Sequence, residues 1–149
     1  MNDNLIERND GSELDVDWVM SQTANTSAIE RRATTLGARR SIKKDHQAAW
    51  LLRAISCIDL TTLSGDDTEG RVRRLCAKGI RPIRPDLTRA LGITNLHVGA
   101  ICVYHEMIRT AITALGNSGI PVASVSTGFP AGLSPLSTRL LEINESVAA

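Results

Sequence analysis

The chain alternates between short apolar runs and longer stretches with apolar residues at helical spacing. Ala48-Ala49-Trp50-Leu51-Leu52 reads as a short amphipathic or buried helix. Ile55 to Leu60 is an apolar run ending in Thr61-Thr62-Leu63, compatible with a buried strand. Ser64-Gly65-Asp66-Asp67 then gives a turn and helix-start signal, with acids where a helix dipole is positive. Val72, Leu75 and Cys76 recur at helical spacing up to Gly79, a C-cap candidate. Two prolines interrupt helix in IRPIRPDL, and Arg89 and Leu91 extend a short helix to Gly92. Val98 to Tyr104 is the second predicted strand. The helix carrying Met107, Ile108, Ala111, Ile112 and Leu115 stops at Gly116-Asn117-Ser118-Gly119. Pro121 to Thr127 is the third strand, followed by the turn Gly128-Phe129-Pro130-Ala131-Gly132. Ser134 looks like an N-cap with Pro135 at the first helical position, and the last helix presents Leu136, Leu140, Leu141 and Ile143.

Three strand–helix repeats imply parallel strands joined by right-handed crossovers, and strands this apolar are expected to be covered on both faces. Such a sheet leaves two open edges. A complete eight-stranded α/β barrel needs ~250 residues, and the chain has 149. The pattern alone leaves two readings: a small open α/β domain, or a piece of something larger.

Residues 1–44 differ from residues 45–149, and are expected to form a polar, mobile extension. The first seventeen residues hold six acids against one Arg. Residues 31–44 hold Arg31, Arg32, Arg39, Arg40, Lys43 and Lys44. Ile29 to Ile42 fits a polar helix with a thin apolar stripe at Ile29, Ala33, Leu36 and Ile42. No aromatic residue is interleaved with the basic run to stack on bases, so a solvated arm is favoured over a nucleic-acid patch.

Net charge is +1, which argues for no polyanionic partner. No apolar stretch approaches the ~20 residues of a membrane span, and the polar start is not a secretory signal. Cys57, Cys76 and Cys102 are too few, and wrongly spaced, for a disulfide framework or a zinc site. His46, His97 and His105 show no ligand spacing. The expectation is a cytoplasmic protein with no metal, no cofactor, no membrane and no nucleic acid.

Specific stretches go further. QAAWLLRAISCIDLTTLSGDDTEGRVRRLCAKG (47–79), GAICVYHEMI (99–108) and IPVASVSTGFPAGLSPLSTRLLEI (120–143) resemble, in order and spacing, the early part of deoxyribose-phosphate aldolases of animal type. RRSIKKDH is similar to their lead-in to the first strand. The resemblance spans about 28–149. It implies a (β/α)8 TIM barrel, of which this chain supplies about the first three β/α units. It also implies cleavage of the phosphosugar 2-deoxy-D-ribose 5-phosphate to glyceraldehyde 3-phosphate and acetaldehyde, in deoxynucleoside catabolism. That chemistry uses a lysine Schiff base and neither metal nor cofactor. Whether such a protein forms a homo-oligomer is left open.

Four residues are carried over as substrate-pocket candidates. Asp59 is expected at the C-terminal end of the first strand, where barrel active sites are built; on pattern alone it fits a turn cap equally. Thr61, two residues on, shares its face, or is simply a β-branched strand residue. Cys102 on the second strand lies near the family's pocket, or is a buried inert thiol. Phe129 could wall the pocket or pack in the core. The family's Schiff-base lysine lies in a KTSTG-like strand, its second lysine in an FKPAGG-like strand and its acid/base aspartate in an EIDVV-like strand. None of these segments is present, and Lys43, Lys44 and Lys78 are the only lysines. The expectation is therefore a truncated chain that is inactive alone. The alternative is a non-catalytic isoform that acts by binding a partner.

Overall fold

A computed structural model of the chain describes residues 13–39 and 41–149. The acidic residues before Glu13, and Arg40 of the basic run, lie outside the described residues. Contacts divide the chain into two units, Met1–Ser41 and Ile42–Ala149.

The described residues of the first unit form two helices, α1 (Val16–Ser21) and α2 (Thr26–Leu36). Each starts on a side-chain cap: Asp15 accepts from the Trp18 N–H at 2.8 Å, and Asn25 from the Ala28 N–H at 3.0 Å. Neither has a buried residue. α2 ends at Gly37, so the predicted stripe is cut before it reaches Ile42. The pattern missed α1, whose single turn and a half is too short to show periodicity.

The second unit runs α3 (Lys44–Ile55), β1 (Asp59–Thr61), α4 (Glu69–Ile80), α5 (Pro85–Ala90), β2 (Ala100–Tyr104), a 3-10 turn (His105–Met107), α6 (Ile108–Leu115), β3 (Val122–Val125) and α7 (Leu136–Ala148). The three strands form one parallel sheet in the order β1-β2-β3, as the alternation predicts. Several boundaries differ from expectation. Ile55 closes α3, so β1 begins later and is only three residues long. α4 is capped by Thr68, whose side chain accepts from the Arg71 N–H. It also runs through Gly79 to Ile80. Gly79 does not end the helix. It lets α4 lie on the sheet, because a Cβ there would stand 2.7 Å from Ile101 Cδ1. Pro85 opens α5 at its first turn, and Pro135, not Ser134, occupies the cap position of α7.

Register explains the core. Leu60 pairs with Ile101, and Ile101 with Val122, so these side chains share one face. α4 and α6 cover that face: Val72, Cys76, Ala111 and Leu115 cluster with Ile101 and Val103. The other face carries no helix of this set. Cover on both faces, expected from the apolar strands, is not found among the described residues. Among the described residues, β1 and β3 each pair only with β2.

Candidate functional site

The helix-free face gathers the chemistry. The register Asp59–Ala100 and Thr61–Cys102 puts Asp59, Thr61 and Cys102 on it together. Cys102 pairs onward with Ala123, and Tyr104 with Val125. Asp59 opens β1 and does not end it, a correction that follows from the late start of the strand. It is exposed, as is Thr61. The Thr61 hydroxyl donates to the Asp59 carbonyl at 3.0 Å. Beyond Thr61, the Thr62 N–H donates to the Cys102 carbonyl at 3.0 Å and continues the pairing.

Cys102 is buried at 7% exposure. Burial pushes its thiol up from the ordinary range and the negative charge of Asp59 adds to this, against a hydrogen bond with Thr61. The three side chains therefore sense one another. A thiol held protonated is a poor nucleophile. That argues against a reactive nucleophile at this position.

Phe129 lies in the loop after β3 and is half exposed. Its ring meets Tyr104 edge-on, with centroids 6.1 Å apart and planes at 61°. Phe129 thus joins the open face through Tyr104 and not through the core. Sequence reasoning passed over Tyr104, although it stands two residues beyond Cys102 and so shares its face.

The β1–α4 loop is held by charge. Asp67, with its side chain 4% exposed, accepts from the Thr62 hydroxyl at 2.9 Å and the Ser64 N–H at 3.0 Å. Arg71 reaches Asp66 at 2.9 Å and Asp67 at 3.2 Å. The Arg71 hydrogen bond, and then that of Ser64, hold the Asp66 carboxyl down to about 2. This loop follows the C-terminal end of β1, and these bonds fix its course there.

No lysine stands on the sheet. Lys43 and Lys44 begin α3, and Lys78 is exposed on the last turn of α4, the helix that covers the opposite face. Among the described residues, no three His, Cys, Asp or Glu side chains are placed to hold a metal ion, and no helix is long and apolar enough to cross a membrane.

A parallel sheet with helices on one face and polar groups along the other defines an α/β protein. Curated relatives narrow the class. The chain is 52% identical over 141 residues to mouse deoxyribose-phosphate aldolase, covering 92% of this chain and 44% of the relative. It is 50% identical over 147 residues to the human enzyme of that name, covering 96% of this chain and 46% of the relative. It thus spans less than half the length of either. A crystal structure assigned to deoxyribose-phosphate aldolase from Coccidioides immitis aligns with a TM-score of 0.50 at 21% identity, over 65% of this chain and 32% of that one, and supports the fold. No family model matches the chain. Over most of its own length, this chain is thus about half identical to curated deoxyribose-phosphate aldolases, and it matches a portion of each.

Proposed function

We propose that the chain is the first part of a (β/α)8 aldolase acting on 2-deoxy-D-ribose 5-phosphate. The observation that carries this is the half-identity to named aldolases together with the gathering of Asp59, Thr61 and Cys102 on the helix-free face. In a closed barrel that face is the interior, and the loops after β1, β2 and β3 form part of the catalytic rim.

Cleavage of the sugar carbon–carbon bond leaves an electron pair that needs a sink. An imine formed by a neutral lysine supplies one. The residues of this chain serve that step without performing it. Asp59 orients a substrate hydroxyl and balances the charge of a nearby amine. Thr61 offers a hydroxyl beside it. Cys102, Tyr104 and Phe129 wall the pocket. The amine comes from elsewhere, since the three lysines of this chain lie off the sheet. The 149-residue chain alone is expected to show no aldolase activity. Borohydride reduction in the presence of acetaldehyde tests this, and a specific adduct on Lys78 would overturn it.

A second reading has its own support. Leu136, Leu140, Leu141 and Val147 on α7, and Trp50 and Leu51 on α3, are exposed, and both outer strands have a free edge among the described residues. Such surfaces suit association with a partner protein. Pull-down with a full-length aldolase tests it; failure to retain that partner would remove this reading.

A further inference from the structure

We propose that Glu142 is a positioning residue, whose carboxylate ties the turn after β3 to the end of β2 and thereby sets Phe129 against Tyr104. Glu142 stands in mid-α7 with its side chain 13% exposed. Its Oε2 accepts from the Gly128 N–H at 2.9 Å. Its Oε1 lies 3.5 Å from His105 Nδ1, an ionic contact when the ring is protonated. One carboxylate therefore reaches two loops that follow neighbouring strands. The link is paired with a second one. Tyr104 and His105 are consecutive, as are Gly128 and Phe129. The Tyr104–Phe129 ring contact and the Glu142–Gly128 hydrogen bond thus hold the same two segments side by side, and the ion pair with His105 adds to them when the ring is protonated.

The turn needs such a fixture. Gly128 has φ +66°, in the left-handed region, and a Cβ there would stand 2.8 Å from Ser134 Oγ. A chain of this shape has no ladder bond at Gly128 N–H, and a carboxylate acceptor gives it a charge-assisted one. His105 and Glu142 are 37 positions apart, so sequence spacing could not pair them. The tether rests on the contacts alone. Its importance for substrate, through Phe129, rests on the aldolase reading.

Amide exchange in the 149-residue chain separates the two. Glu142→Ala is expected to speed exchange at Gly128 about tenfold and to remove the ring-current shift between Phe129 and Tyr104. The Ile101 and Val103 amides of β2 should stay protected. Glu142→Gln keeps an acceptor for the Gly128 N–H and should stay within about threefold of the parent. If Glu142→Ala also exposes the β2 amides, Glu142→Asp decides: its shorter reach must speed Gly128 while β2 stays protected. Unchanged Gly128 exchange in Glu142→Ala or in Glu142→Asp, with β2 intact, overturns the tether, as does equal loss in Glu142→Ala and Glu142→Gln. Failure of the aldolase reading would leave these exchange rates as they are.

Discussion

The two faces of the sheet are made from alternate residues of the same short strands, yet they do different work. Ile101 and Val103 point into the helix-covered face and are fully buried. Cys102, between them, points the other way, toward Asp59 and Thr61. The covered face is a packed interior of apolar side chains. The open face mixes a carboxylate, a hydroxyl, a thiol and an aromatic ring. Apolar packing and polar side chains are thereby divided at single-residue resolution along one strand, and substitutions one position apart should have effects of different kind.

The largest effect is expected on the covered side. Ile101→Ala removes a fully buried side chain that packs with Val72, Cys76 and Ala111. Its cost should be about 2–5 kcal/mol, a large share of the ~5–15 kcal/mol available to a domain. Thr61→Val on the exposed side should stay within about 0.5 kcal/mol. Urea unfolding of both variants checks the pair, and equal costs would break the distinction between the faces. Function should run the opposite way. In a chimera completed with the remaining part of the mouse relative, Asp59→Asn is expected to lower kcat/KM for 2-deoxy-D-ribose 5-phosphate about a hundredfold through lost positioning, with little change in the unfolding midpoint. A chimera indifferent to Asp59 would remove that residue from the site.

How far the sequence could anticipate this depends on how local each signal is. The β/α order, the parallel sheet and the helix over Met107 to Leu115 follow from hydrophobic period, which is local, and they agree with the fold. The start of β1 does not: Ile55 to Ile58 is apolar in either state, and the chain places Ile55 in α3, where it packs on the core. Gly79 carries the residue type of a helix end but serves close packing against Ile101, which only the fold reveals. Asp59, Thr61 and Cys102 were legible as candidates because strand alternation and family resemblance both single them out. Tyr104 was open to the same alternation, two residues beyond Cys102, whereas Glu142 required a contact across fourteen residues to Gly128.

Thiol reactivity sharpens the comparison at smaller amplitude. Cys57 is exposed, whereas Cys76 on the covered side and Cys102 on the open side are buried. Burial raises the pKa of both buried thiols, and for Cys102 the Asp59 charge contributes as well. Alkylation at pH 8 should modify Cys57 first, with Cys76 and Cys102 slower because both are buried and held protonated. Asp59→Asn should speed Cys102 and leave Cys76 unchanged. Mass-spectrometric mapping over time reads this directly. Equal response of the two buried thiols would mean that Asp59 does not act on the open face alone.

The smallest effect belongs to the loop that joins the faces, between β1 and α4. The hydrogen bonds from Arg71 and Ser64 hold Asp66 at about 2, below its ordinary 3.8. A carboxylate with a depressed pKa in the folded state stabilises above its ordinary value, and that contribution is lost as pH falls through the folded value. The window is therefore from about pH 4 down to about pH 2. Both partners are solvent-exposed, so screening keeps the effect on stability small and salt-sensitive. Carboxyl-carbon NMR should show Asp66 titrating near 2 in the parent chain, and Arg71→Ala should return it toward 3.8. Asp67 keeps its bonds from Thr62 and Ser64 in that variant, so the turn itself should persist and the covered face should unfold at the same urea concentration. A shift in that midpoint as large as the Ile101→Ala shift would show that loop and core are one cooperative device, and the division between the faces would then stop short of the rim.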